Sequence, residues 1–73
     1  MTFEKLEFKD ENGEMVNTLY INIEDISVAS FSIDEGGNQA AKLVLRSNSE
    51  SVTISFGYDN HEAWTKLKTM FEK

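Results

Sequence analysis

The chain has no cysteine and no proline, only four glycines and a single histidine. Without cysteine there is no disulfide framework and no thiolate metal site, and a small domain without such staples fits a reducing interior, so a cytoplasmic setting is expected. Without proline no rigid break marks a linker or a boundary. Basic residues are also scarce. Seven Lys and Arg face thirteen Asp and Glu, for a formal net charge of −6. The basic residues are spread along the chain instead of clustering in a stripe, so nucleic acid is not the expected partner. Long apolar runs are missing too. No stretch approaches the roughly 18 residues of a membrane span, and Met1-Thr2-Phe3-Glu4-Lys5 contains no apolar signal core, so no membrane association is expected.

What is present is an ordinary globular composition, 40% apolar and 27% charged over 73 residues. That is enough to fold and argues for a single domain over 1–73. At this size one hydrophobic core leaves little net stability, so self-association is a natural way to bury more surface.

One segment has helical spacing. Ala63, Trp64, Leu67, Met70 and Phe71 fall at i, i+1, i+4, i+7 and i+8, which predicts an amphipathic helix from about Asn60 to Glu72. Asp59 is the expected N-cap, with Glu62 three residues later completing a capping box. Glu62, Lys66, Thr69 and Lys73 form the polar face.

The rest reads as strands. Asn12-Gly13 is the dipeptide that best tolerates the two positive-φ positions of a type I′ hairpin turn, flanked by runs from Thr2 to Lys9 and from Glu14 to Asn22. The implied register sets Lys9 opposite Val16, Leu6 opposite Leu19 and Lys5 opposite Tyr20. Leu6, Phe8, Met15, Leu19 and Ile21 then share a core face. Ile23-Glu24-Asp25-Ile26 breaks the alternation and predicts a tight or single-turn helical connection. In the third strand, Ile26 to Ile33, Ala29, Phe31 and Ile33 share one face while Ile26 and Val28 share the other. That pattern fits a central strand, a bulge, or cover on both sides. Asp34-Glu35-Gly36-Gly37-Asn38 is a loop before a fourth strand with Ala41, Leu43 and Leu45 inward. Ser47-Asn48-Ser49-Glu50 is a polar turn before a fifth, with Val52, Ile54 and Phe56 inward. The expected fold class is therefore α+β: a curved antiparallel sheet of about five strands packed on one C-terminal helix.

Chemistry is sparse. A nucleophilic triad would need a serine near His61 with Asp59 to orient the ring, but His61 falls in the exposed first turn of the helix, and no catalytic residue is assigned. Gly36-Gly37 lacks the lysine and following helix of a phosphate loop. The acids at the turns, Asp10, Glu11, Glu14, Asp34, Glu35 and Asp59, all come to one end of such a sheet. This makes a small-ligand or cation site an alternative reading, although the spacing matches no calcium loop and no metal or cofactor is assigned. The best candidate site is the sheet face opposite the helix, where Phe3, Val16, Tyr20 and Val44 stand among Lys5, Lys9, Thr18, Lys42, Thr53 and Ser55. A Tyr-centred patch ringed by polar groups suits a protein partner, or a second copy of the chain.

From Leu19 to Phe71 the layout of strands, the Ile-Asn-Ile-Glu-Asp-Ile segment and a short terminal helix resembles FlbD-type flagellar proteins and the LytTR-type DNA-binding domain. The resemblance lies in layout alone and transfers no functional residue. The DNA binding it would imply in the second case runs against the acidic balance. Size, acidity and lack of catalytic groups are also those of small phage or bacterial accessory proteins. The expectation is a non-catalytic adaptor or inhibitor, with a self-associating subunit or a ligand binder at the acidic end as alternatives.

Overall fold

In the computed structural model, residues 3–9 and 13–72 are described. Five strands precede one helix: β1 (Phe3–Lys9), β2 (Val16–Asn22), β3 (Ile26–Ile33), β4 (Gln39–Leu45), β5 (Ser51–Gly57) and α1 (His61–Met70), with a single 3-10 turn, Ile23–Asp25, between β2 and β3. All the pairings are antiparallel, but the strands form two sheets and not one. A two-stranded ribbon, β1-β2, is separate from a three-stranded sheet ordered β3-β4-β5. The expected single curved sheet is thereby corrected. The 3-10 turn carries the chain from one sheet to the other, and the apolar side chains of both then meet in a common core.

The ribbon register is the one the hairpin pattern implies: Lys5 opposite Tyr20, Leu6 opposite Leu19 and Lys9 opposite Val16. Gly13 has φ +71°, a conformation open to glycine at little cost. Asp10, Glu11 and Asn12, and with them the Asn12-Gly13 turn, lie outside the described residues. Leu6 and Ile21 are buried and Phe8 and Leu19 partly so, whereas Met15, expected in the core, is 64% exposed because β2 begins only at Val16.

The open question in β3 is answered by a bulge. Ile26 pairs with Leu45 and Val28 with Val44, so Ser27 is an extra residue opposite nothing. The bulge shifts the alternation by one, bringing Ile26 onto the inner face with Ala29 and Phe31 and leaving Val28 outside. β3 is thus an edge strand with an irregular start. Asp25 locks that start. Its carboxylate accepts from Ser47 N at 3.1 Å and Ser47 Oγ at 3.1 Å, while its carbonyl accepts from Arg46 N at 2.6 Å.

The helix covers one part of the inner face with Trp64, Leu67 and Met70, all buried. Trp64 Nε1 donates to Ala40 O at 3.0 Å, and its ring meets Phe31 edge-on at 5.9 Å. Ribbon and sheet join through side chains, Phe8 on Phe56 at 4.9 Å among them. The expected Asp59 cap does not form. Asn60 is the N-cap residue, and its side chain makes no cap hydrogen bond. It bridges the ribbon and β5 instead: Nδ2 donates to Lys9 O at 2.7 Å in the ribbon and to Phe56 O at 2.8 Å in β5, and Oδ1 accepts from Lys9 N at 3.3 Å. None of the described helices is long and apolar enough to cross a membrane.

Candidate functional site

The four residues expected to form one patch do not lie together. Phe3 pairs with Asn22 and Tyr20 with Lys5, so Phe3 and Tyr20 are diagonal neighbours on the outer face of the ribbon, close enough for their rings to share a surface. Tyr20 is 67% exposed and Phe3 55%. Val16 is on the same face but four residues further along β2, roughly 13 Å away at strand rise. Val44 belongs to the other sheet. It pairs with Val28 and Ser51 on the outer face of β3-β4-β5. Because the two sheets turn their inner faces to each other, their outer faces look in different directions. The expectation of one continuous sheet is what placed Val44 beside Tyr20.

A feature the alternation did not show adjoins the Phe3 and Tyr20 pair. Between the ribbon and the three-stranded sheet a groove of about 300 Å³ remains at the end where β2 passes into β3. Its floor is inner-face side chains: Leu43 and Leu45 from β4, Val52 and Ile54 from β5, with Ile26 from β3. Leu19 and Ile21 form the ribbon wall, and Phe3, Tyr20, Asn22 and Asp25 the rim. Val52, inward by pattern, is 46% exposed because the groove opens over it. The groove is lined from two separate sheets, so a strand-by-strand reading that expects one sheet does not show it.

The rim has a modest electrostatic structure. Lys5 Nζ pairs with Glu7 Oε1 at 3.1 Å on the Tyr20 face, and that hydrogen bond, reinforced by the Glu7 charge, holds the ammonium above its usual range. Asn22 Oδ1 accepts from Glu24 N at 3.2 Å and fixes the 3-10 turn.

The other candidate groups are occupied by structure. His61 Nδ1 lies 2.6 Å from Gln39 Nε2 and its Nε2 lies 3.4 Å from Thr65 Oγ1, contacts both satisfied by the tautomer protonated on Nε2. Among the described residues the hydrogen-bond contacts of the His61 ring are Gln39 and Thr65, and neither is a serine. Gln39 went unnoticed in the sequence, yet it continues the Ala41, Leu43, Leu45 alternation backwards and is buried, with Oε1 lacking a hydrogen-bond partner among the described residues. At the acidic end, Asp34 is turned onto its own loop. Asn38 donates through both N and Nδ2, and Gly36 N donates at 2.9 Å. Those bonds, the Asn38 backbone first, hold its carboxyl below the usual aspartate range. Among the described residues no group of three or more His, Cys, Asp or Glu is placed to hold a metal ion.

Compared with protein-family models, curated proteins and solved structures, the chain matches none of them. The layout resemblance accordingly lends it no function, and the groove with its aromatic rim is the site from which function has to be argued.

Proposed function

We propose that this chain is a non-catalytic protein-binding module, an adaptor or inhibitor of the small bacterial or phage accessory type, working in a cytoplasm and docking through the groove and its Phe3 and Tyr20 rim. One observation carries the reading: an apolar groove lined by inner-face side chains lies directly beside two exposed aromatic rings held on a paired ribbon. Rings fixed on a strand gain hydrophobic free energy when desolvated and lose little entropy, the character of an interface anchor. Val16, further along the same ribbon face, and Val44, on the other sheet, both lie outside the rim. A self-associating subunit is the second reading, favoured by the uncharged edge strands β2 and β5.

The test is a captured partner and its affinity. Tyr20→Ala should weaken association by about 2 kcal/mol, some thirtyfold, and Lys66→Ala on the polar helix face should change it little. An unchanged affinity for folded Tyr20→Ala would rule the rim out. Light scattering across a concentration series separates a foreign partner from a second copy.

A further inference from the structure

Resting on that reading of the groove, we infer that its occupant is a basic, extended, apolar segment of another protein, added as a strand. The floor favours an extended chain. Leu43 and Leu45, like Val52 and Ile54, stand two residues apart on their strands, about 6.7 Å, which is the spacing at which alternate side chains of a docked strand descend. The flanks favour backbone pairing. β2 and β5 both border the groove, and each is an edge strand of its sheet. Neither Val16–Asn22 nor Ser51–Gly57 contains a charge or a proline, the usual guards of an open edge.

Charge selects the partner. Asp25 stands on the rim itself, its negative charge uncompensated by the neutral Ser47 N–H and O–H that bond its carboxylate. Glu24 is tied through its N–H to rim residue Asn22, and Glu50 through its carbonyl to the N–H of floor residue Leu45 at 2.8 Å. Against these three acids the same end holds Arg46, whose Nη2 lies 3.5 Å from Ile26 O, and Lys5 beside Tyr20, whose charge is matched by Glu7 at 3.1 Å. A second copy would bring the same acidic rim and another net charge of −6. A lysine- or arginine-bearing strand brings the complementary sign, with both faster encounter and a favourable rim.

The probe is a blocked peptide of about ten residues alternating lysine with valine, compared with its glutamate-valine counterpart in amide-shift titrations of the full chain. The lysine peptide should bind at least tenfold tighter and shift Leu19 to Asn22 and Val52 to Ile54, with the advantage shrinking in about 0.5 M salt. Val52→Lys, at an exposed edge position, should abolish those shifts. Glu24→Lys combined with Glu50→Lys should reverse the preference. Equal binding of the two peptides, shifts scattered over the other acidic surfaces, or a concentration-dependent dimer perturbing the same amides would overturn the inference. An association that is sensitive to Tyr20→Ala but indifferent to salt and to the Glu24 and Glu50 reversals would overturn it too, while leaving the protein-binding function standing.

Discussion

Trp64 ties the helix to the sheet through both its ring and its N–H. It is buried, donates to Ala40 O, meets Phe31 edge-on, stacks near His61 and carries Lys68 Nζ 5.4 Å from its ring centre. Trp64→Ala should cost about 3 to 5 kcal/mol, a large share of the stability of so small a domain, and a urea titration showing a loss below about 1 kcal/mol would contradict this packing. This residue was legible from helical spacing alone. Asp34 was legible as a turn residue but not as the hub of its loop. Since its folded carboxyl is held low, its contribution is present above the pKa of the unfolded chain and is lost as pH falls through the lower folded value. A carboxyl-shift titration should give Asp34 a midpoint below that of a free aspartate, with the amides of Gly36 and Asn38 moving at the same midpoint. His61 and Gln39 show what residue type alone hides: the contact between them joins a helix start to a strand start 22 residues apart.

At the scale of elements, period-2 and period-3.6 patterns located all five strands and the helix, and the hairpin register followed from where a positive-φ turn fits. Two junctions were not legible. The bulge at Ser27 is a choice between pairings that the isolated pattern of Ile26 and Val28 leaves open. The helix start depends on a tertiary partner. Local chemistry favours Asp59 as cap, but Asn60 has both a donor and an acceptor, and only such an amide can answer both Lys9 N and Lys9 O as another strand would. Asn60→Ala should therefore cost about 1 to 2 kcal/mol. Asn60→Asp keeps the acceptor but loses both donor contacts, and should recover only part of the loss in the same denaturant titration. Full recovery by aspartate would show that the residue acts as an ordinary cap.

The whole molecule departs most from its sequence reading. Five alternating strands with short connections are compatible with one sheet or two, because alternation specifies which side chains are inward and not which strands share hydrogen bonds. Here no backbone ladder joins the ribbon to the three-stranded sheet in the described residues. The ribbon is held by Leu6 and Ile21 in the core, by Phe8 on Phe56, and by the Asn60 clamp. A lone two-stranded ribbon is marginal in water, so its pairing persists only while it is docked. The arrangement separates two kinds of opening. Leu6, fully buried at the centre of the ribbon's inner face, is the residue that distinguishes them. Leu6→Ala should cost about 2 to 5 kcal/mol overall. If the ribbon opens as a unit, hydrogen exchange in this variant should accelerate most in β1 and β2, through an opening that leaves the amides shared by β3, β4 and β5 protected. Such an opening would also widen the groove, whose wall is Leu19 and Ile21. Equal acceleration in ribbon and sheet would mean that the two layers unfold as one cooperative unit, with the side-chain contacts between them as binding as a shared ladder.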